Sequence, residues 1–206
     1  MKNLNKIVSP FYNGLPLLKM NDNSQEFYEI ILEKIYERIN AMHKKTSQVL
    51  FIRFEIRFPQ NLNATSDNKC FKYYINEYRR YFNNNNFFNH YVWVKEQNCS
   101  HNPHYHLLLM IDGNRMRYYK NNLKATEIWS RALKKYYDYN IDAKGLIQVC
   151  GYTHGGVTMN NGINVHRDNM ALRNELFKIC SYLAKTYTKE NIITGRFFGA
   201  SVLGYK

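Results

Sequence analysis

Two histidines lie one residue apart at the start of an apolar run, in the segment PHYHLLLMID. Side chains two apart on a β-strand point to the same face, so His104 and His106 lie on one side of the predicted strand. Glu96 precedes His104 by eight residues, and if it ends the neighbouring strand of a hairpin, its carboxylate approaches both imidazole rings. These residue types predict a divalent-cation site with two imidazole ligands, one carboxylate ligand and open coordination positions. Open positions allow the cation to hold a substrate oxygen, which favours a catalytic role.

Three alternatives to this site stay open. In the first, a structural zinc ion binds four residues that are tightly spaced for such a cage: Cys99, His101, His104 and His106. In the second, the two histidines are ordinary strand residues that bind no metal. In the third, a β-bulge exchanges Glu96 for its neighbour Gln97 as the residue that faces the histidines.

A candidate nucleophile lies near the end of the chain, in the segment SYLAKTYTKE, where Tyr182 precedes Lys185 by three residues. This segment is predicted to be helical. At 100° per residue, Tyr182 then lies to one side of the apolar stripe, and Tyr187 lies on the other border. We therefore predict Tyr182 as the nucleophile, Tyr187 as a structural residue, and one active nucleophile per chain. The alternative is that Tyr182 is an ordinary aromatic residue at the edge of the core.

Lysines accompany Tyr182 on the predicted helix. Lys178, Lys185 and Lys189 fall on the same side as the tyrosine. We expect the ammonium groups of Lys185 and Lys189 to favour the phenolate form of Tyr182, because nearby positive charge lowers the pKa of a phenol.

The elements that must position these residues follow from changes in the period of the apolar residues. The predicted helices cover 25–42, 67–82, 123–138 and 167–190, and the predicted strands cover 48–59, 88–96, 104–112 and 145–152. This order predicts an α+β domain with a mostly antiparallel sheet, covered by helices on one face and open on the other, which is free for the metal site. Residues 1–47 are interpreted as a lead-in and helix, and 48–206 as the domain that carries the site, together forming one compact unit.

The net charge of +13, from 29 Lys and Arg against 16 Asp and Glu, favours a polyanionic partner, and nucleic acid leads among these. Arg53 and Arg57 share the polar face of the first long predicted strand, and the segment RYYKNNLK at 117–124 mixes basic and aromatic residues suited to phosphates and bases. The alternatives are a composition that merely reflects an AT-rich genome and a solvated basic face.

Several classes of protein are not expected. The chain has no run of 18 or more apolar residues, so we expect no membrane span, and its first residues lack a signal-peptide core. The four cysteines contain no C-x-x-C pair, which favours free thiols in a reducing cytoplasm. The chain has no phosphate-binding G-x-x-x-x-G-K-[ST] motif, so no nucleotide cofactor or fused helicase is expected.

The segment WVKEQNCSHNPHYHLLLMID, followed by YLAK near the end, resembles the HUH endonucleases, which include rolling-circle replication initiators, relaxases and related transposases. More narrowly, FEIRFP, YVWVKEQ, PHYHLLL, SYLAKTYTK and GRFFGAS are similar to the inovirus-type gene II replication proteins of filamentous phages and prophages, over about residues 48–201. The resemblance implies a Rep-type fold related to the ferredoxin-like fold. It also implies a site-specific nicking and joining enzyme that initiates rolling-circle replication through a covalent 5′-phosphotyrosine.

The same resemblance implies roles for individual residues. His104, His106 and Glu96 would bind Mg²⁺ or Mn²⁺, and Tyr182 would be the nucleophile with Lys185 beside it. The expected partner is single-stranded or origin DNA, presented as a hairpin or nick site in a bacterial cytoplasm, with a host helicase and polymerase as further partners. The residues expected to contact DNA are Arg53, Arg57, Lys178, Lys189 and Arg196. A noncatalytic DNA-binding regulator and a metal-dependent nuclease that uses water stay open as alternative functions.

Overall fold

The computed structural model describes residues 4–19, 26–65, 67–97, 101–120, 122–154, 157–159, 161–189 and 196–203. The helices of this part of the chain are α1 (Glu29–Lys45), α2 (Lys69–Asn84), α3 (Leu123–Tyr137) and α4 (Met170–Cys180), and a 3₁₀ turn at Ser181–Ala184 follows α4. None of the helices in these ranges combines the length and the apolar character needed to cross a bilayer.

The described strands, in chain order, are β1 (Lys6–Val8), β2 (Phe11–Tyr12), β3 (Leu15–Pro16), β4 (Glu26–Tyr28), β5 (Gln48–Arg57), β6 (Asn89–Glu96), β7 (His104–Asp112), β8 (Ile147–Val149), β9 (Tyr152–His154), β10 (Val157–Met159), β11 (Ile163–His166) and β12 (Phe198–Ala200). The main sheet has the order β11-β5-β7-β6-β12, and β8 also pairs with β5. All pairings in this sheet are antiparallel. The predicted α+β class with a mostly antiparallel sheet is confirmed.

Helices cover both faces of this sheet. On the first face, α2 and α3 pack on Tyr105 and Leu107 of β7, and on the second face, α1 and α4 pack on Leu108 and Met110. The arrangement expected from the sequence, with helices on one face only, is therefore corrected. The physical reason lies in β7 itself, because its run of apolar residues includes both odd and even positions, and apolar side chains on both faces require cover.

The second face becomes polar toward the start of β7. Met110 and Leu108 are fully enclosed in the core, and His106 and His104 follow them on the same face. The neighbouring strand β6 also becomes polar at this end, since Val94 is buried in the core and Glu96 follows it at the end of the strand. The open region is thus one end of the second face rather than the whole face.

The last helix is shorter than predicted. The pattern predicts a helix over 167–190, but α4 ends at Cys180, and after the 3₁₀ turn Lys185 forms a β-bridge with Phe27. The backbone N–H of Thr186 donates to the carbonyl oxygen of Glu26, 3.1 Å away, instead of to a carbonyl one helical turn earlier. Pairing with β4 replaces helical hydrogen bonding from Lys185 onward, so the α-helical spacing of 100° per residue does not apply beyond Cys180.

Candidate metal centre and nucleophile

The two predicted histidines lie side by side at the open end of β7. Their ring centroids are 5.2 Å apart, and the rings are nearly perpendicular, at 80°. The antiparallel register places Glu55 of β5 opposite His106 and Glu96 of β6 opposite His104. His106 is buried and His104 is half-buried. The histidine pair therefore lies between two carboxylates, one from each neighbouring strand.

Glu96 is nearly enclosed and joins the histidines to two lysines. Its Oε2 lies 3.4 Å from Nε2 of His106 and 3.8 Å from Nε2 of His104. On the other side, Oε1 lies 2.9 Å from Nζ of Lys189 and Oε2 lies 3.7 Å from Nζ of Lys185. Burial alone would raise the pKa of this carboxyl group, but the contacts with His106 and Lys189 hold it well below its ordinary value. Glu96 is thus a buried anion shared between imidazoles and ammonium groups.

The convergence of Glu96 on the histidines follows from an unbroken hairpin. The pairing of β6 with β7 continues without a bulge to Glu96 opposite His104. Gln97 lies beyond the strand, where its side chain donates to the carbonyl oxygen of His101. The carboxylate, and not its neighbour Gln97, therefore faces the histidines, and its role as a metal ligand stays a prediction.

Glu55 is a second carboxylate that the sequence did not reveal as a candidate ligand. The ligand atoms of Glu55, His104 and His106 all lie within 4.8 Å of one another, so this group could hold a divalent metal ion. Arg57 binds only one oxygen of Glu55, because its Nε and Nη2 both donate to Oε1, at 2.9 and 2.7 Å. The alternation of charged residues on β5 was visible in the sequence, but the register that brings Glu55 opposite His106 was not.

The donor set fits a cation with mixed imidazole and oxygen ligation. Nδ1 of His106 is buried and has no hydrogen-bond partner among the described residues, although the Cys150 thiol lies beside the ring. Burial would lower the pKa of His106, but Cys150 and Glu96 raise it above its ordinary value. Two imidazoles and two carboxylates suit Mn²⁺ or Zn²⁺ well and Mg²⁺ through the oxygen ligands.

The alternative zinc cage receives no support from His101. This side chain is exposed, and its Nε2 lies 2.6 Å from Oδ1 of Asn63. Cys99, the cysteine of that cage, lies outside the described residues.

Tyr182 lies beside the histidines. The 3₁₀ turn brings its ring centroid to 5.9 Å from that of His106, with the rings at 87°. The guanidinium of Arg53 lies 5.4 Å from the centre of the tyrosine ring. The sequence predicted this neighbourhood from a helical face, whereas the structure achieves it through the turn that ends the helix.

The pKa of Tyr182 moves in the direction opposite to the prediction. Burial, followed by the negative charge of Glu96, raises the pKa of its phenol to about 12, and Arg53 offsets only part of this rise. The expected stabilisation of the phenolate by lysines is therefore wrong for the protein alone. In the protein without metal, the enclosing core and the carboxylate dominate.

The two lysines near Tyr182 are buried rather than presented to solvent. Nζ of Lys185 lies 3.4 Å from the ring centre of Tyr182 and 5.0 Å from that of Tyr187. Burial lowers the pKa of Lys185 to about 8, although Glu96 opposes this shift. Lys189 is fully enclosed and also donates to the carbonyl oxygen of Lys185, 2.8 Å away. The prediction that Lys189 contacts DNA is wrong, because its charge is buried against Glu96.

Tyr187, which the helical pattern placed on the border of the apolar stripe as a structural residue, lies at the surface. Its side chain is 42% exposed, and its ring centre lies 5.0 Å from Nζ of Lys185. The reason is again the early end of α4, which changes the direction of every side chain after the turn.

A family model described as the YagK/YfjJ C-terminal domain matches residues 8–201. The chain belongs to this family. No curated protein and no solved structure matches it. All of the YagK/YfjJ residues discussed above, from Arg53 to Lys189, lie within the matched range. The family description names no activity, so the function of this YagK/YfjJ domain must be argued from the site.

The remaining residues that were expected to contact DNA take different positions in the YagK/YfjJ domain. Arg53 and Arg57 lie at the site. Arg53 lies over the Tyr182 ring, and Arg57 donates to Glu55. Lys178 instead pairs with Glu175 on α4, at 3.6 Å. Arg196 is exposed, and its Nε donates to the carbonyl oxygen of Phe198. The role of these four residues in DNA binding stays a prediction.

Metal binding by the YagK/YfjJ domain can be measured directly. We expect His106→Ala to weaken the binding of Mn²⁺ by roughly a hundredfold or more, because the loss of residues that only support a ligand already costs 10–100-fold. Isothermal titration calorimetry would measure this, with His166→Ala as the matched control, since His166 is exposed and paired with Asp168 on β11. Equal affinity in His106→Ala and the unchanged protein would refute the site.

The third ligand of the YagK/YfjJ site can be assigned in the same titration. Glu55→Gln and Glu96→Gln each remove one carboxylate from one side of the histidine pair. We expect the larger loss of Mn²⁺ affinity in the variant whose carboxylate binds the metal directly. Glu96 was the choice from the sequence, whereas Glu55 belongs to the compact group of ligand atoms.

Proposed function

We infer that this domain is a metal-dependent, site-specific endonuclease that nicks and rejoins single-stranded DNA through a covalent 5′-phosphotyrosine, and that this reaction initiates rolling-circle replication. The observation that carries the proposal is the position of Tyr182, whose ring centroid lies 5.9 Å from that of His106 in a cluster with two carboxylates. A phenol, an imidazole pair and buried cations in one cluster are the parts that transfer of a phosphoryl group to tyrosine requires. The resemblance to HUH endonucleases in the motifs around His104 and Tyr182 supports the same assignment.

The proposed reaction exchanges one phosphate ester bond for another, so it needs no external energy source. Oη of Tyr182 attacks phosphorus and loses its proton, the bond between phosphorus and the 3′ oxygen breaks, and the leaving 3′ oxygen takes up a proton. The products are DNA joined to the protein through its 5′ phosphate and a free 3′-OH. A bound divalent cation would activate and orient the scissile phosphate. The returning 3′-OH reverses the reaction and joins the strand.

The cationic groups of Lys185 and Arg53, which lie beside the Tyr182 ring, would stabilise the transition state of this reaction. Lys185 lies against the face of the Tyr182 ring, and with a pKa of about 8 it is mostly protonated at neutral pH. Arg53 lies over the same ring. Their positive charges oppose the negative charge that builds up on the phenol oxygen and the phosphate in the transition state.

The proposed partner is single-stranded or origin DNA, presented as a hairpin or nick site. A net charge of +13 attracts polyanions, and the free 3′-OH made by nicking is a primer for a host polymerase working with a host helicase. We place this activity in the cytoplasm of a bacterial host, with Mg²⁺ or Mn²⁺ as the cation.

The proposal is tested by incubating the full chain with end-labelled single-stranded DNA from its own replicon and Mn²⁺, followed by denaturing electrophoresis. We expect a protein–DNA band that survives denaturation, that disappears with a chelator, and that is absent with His104→Ala. Cleavage without such a band would overturn the proposal in favour of a nuclease that uses water. Binding without cleavage would overturn it in favour of a noncatalytic regulator.

One observation favours the nuclease that uses water as the second candidate. Burial and Glu96 raise the pKa of Tyr182 to about 12, so the phenol is protonated at neutral pH in the protein without metal. Such a phenol is a weak nucleophile until its proton is removed. The denaturation-resistant band decides between the two candidates, because a hydrolytic nuclease leaves no DNA on the protein.

A further inference from the structure

A pocket that is separate from the metal site lies at the opposite end of β7 from the histidines. It has a volume of about 590 Å³ and is formed by one side of α2, the start of α3 and residues 114–120, which follow β7. Its aromatic lining includes Tyr81, Phe82 and Tyr118, and its basic lining includes Arg115, Arg117 and Lys120. None of the described residues that line it is acidic. The chemistry of the pocket is therefore aromatic and cationic.

The floor of this pocket consists of buried, hydrogen-bonded aromatic side chains. The hydroxyl groups of Tyr78 and Tyr119 are 2.8 Å apart and buried, and Phe54 packs edge-on against the Tyr119 ring at 5.4 Å. Tyr118 is the neighbour of Tyr119, but its side chain is 53% exposed. A packed floor with an exposed aromatic wall provides a surface on which a flat ring can stack.

The basic groups at the rim are available to an anion. Arg115, Arg117 and Lys120 are all exposed, and none of them has an ion-pair partner among the described residues, although Nη1 of Arg115 donates to the carbonyl oxygen of Asn86. Lys120 lies over the Tyr118 ring, 5.7 Å from its centre. Lys124 differs, because Glu127 binds it at 2.8 Å. Three cations around an exposed aromatic ring match the alternation of phosphate and base along a nucleic acid strand.

We propose that this pocket is a second DNA subsite, which holds a base of single-stranded DNA against Tyr118 while Arg115, Arg117 and Lys120 bind the flanking phosphates. The inference rests on the proposed function, since it assigns the same DNA strand to a second place on the protein. Single-stranded DNA is the chosen occupant because the bases of a duplex are already stacked on one another and cannot stack on a tyrosine.

The distance between the two sites predicts a dependence on DNA length. β7 runs from His104 to Asp112, and eight steps at about 3.4 Å per residue separate its ends by about 27 Å. At the stacked spacing of about 3.4 Å per nucleotide this length corresponds to about eight nucleotides, and the path of the strand is longer, because the pocket lies on the face covered by α2 and α3 and the histidines lie on the other face. A short oligonucleotide therefore cannot occupy both sites at once, and simultaneous binding at the two sites requires a longer one.

The proposal is tested by fluorescence anisotropy with labelled single-stranded DNA of about 30 nucleotides, which exceeds the required span. The full chain is used with a chelator present, so that no cleavage occurs. We expect Tyr118→Leu to weaken binding by roughly tenfold or more, because stacking of one base contributes that much, and Tyr118→Phe to bind within about twofold of the unchanged protein. Arg117→Ala is expected to reduce the slope of log affinity against log salt by about one.

The matched control is Tyr136→Leu. Tyr136 is an exposed tyrosine on α3 that also lies beside a lysine, with Nζ of Lys135 5.9 Å from its ring, but it does not line the pocket. This variant is expected to bind DNA as the unchanged protein does. Circular dichroism of each variant would verify that the fold is retained.

The outcomes separate this inference from the proposed function. Binding that depends on Tyr118, without any covalent band, would overturn the nickase and keep the pocket. A covalent band together with unchanged binding by Tyr118→Leu and Arg117→Ala would overturn the pocket and keep the nickase. The pocket is also refuted if the chain binds no oligonucleotide, or if Tyr118→Leu weakens binding to single-stranded RNA but not to DNA.

Discussion

Replacing Tyr182 with phenylalanine is expected to abolish the denaturation-resistant protein–DNA band. Phenylalanine keeps the ring that packs against His106 and under Arg53 and removes only the oxygen that would attack phosphorus. Mn²⁺ binding and the fold should therefore be retained, while the band falls below detection. The measurement is denaturing electrophoresis with end-labelled DNA, together with a Mn²⁺ titration of the same preparation.

Tyr187→Phe is the matched control for this experiment. Tyr187 also contacts Lys185, but it is more exposed, and its ring is 5.0 Å from Nζ rather than 3.4 Å. We expect Tyr187→Phe to keep the covalent band. A band that survives Tyr182→Phe and disappears in Tyr187→Phe would move the nucleophile to Tyr187 and contradict the assignment.

The largest effect on stability is expected from Glu96→Gln. The substitution removes a buried negative charge and leaves the ammonium group of Lys189, which is fully enclosed, without its anion. Breaking a buried ion pair by removing one partner costs about 3–5 kcal/mol of the free energy of unfolding. Urea denaturation in the presence of a chelator would measure this loss without a contribution from bound metal. Glu55→Gln is the control, because Glu55 is partly exposed and its partner Arg57 is mostly in solvent.

A double-mutant cycle measures the interaction energy between Glu96 and Lys189. Lys189→Met removes the enclosed charge, and the double variant with Glu96→Gln removes both charges together. We expect the double variant to be less destabilised than the sum of the two single variants, because the second substitution removes the charge that the first left unpaired. Additive losses would show that the two groups do not stabilise each other.

The same pair predicts how stability depends on pH. The pKa of Glu96 is lowered in the folded protein, so its contribution to stability is fully present above its ordinary value of 4.5 and is lost as the pH falls below that value. Glu96→Gln should therefore flatten the acid side of the stability curve.

The central elements could be predicted from the sequence because the spacing of apolar residues that identifies each helix or strand lies within that segment. Strands β5, β6 and β7 and helices α2 and α3 all form within a few residues of the predicted ranges. The approach of Glu96 to the histidines was also predictable, since the register of a short hairpin follows from the adjacent strands.

The remaining features depend on contacts between distant parts of the chain. The position of Glu55 opposite His106 depends on the pairing of β5 with β7, and the early end of α4 depends on hydrogen bonds to β4. The burial of Lys189 was hidden for a similar reason, because a stripe of lysines beside an apolar face is normally solvated. Short strands such as β11 and β12 carry too few residues for a period to be recognised.

The β-bridge between Phe27 and Lys185 has a consequence for how the protein matures. It joins segments 158 residues apart, and contacts of such separation form late and slowly because the intervening chain must first be ordered. The histidine hairpin, by contrast, is local and can form early. In a chain still emerging from the ribosome, the histidines would be in place before Tyr182 is positioned beside them. Under the proposed function, covalent capture of DNA would then be confined to fully folded molecules.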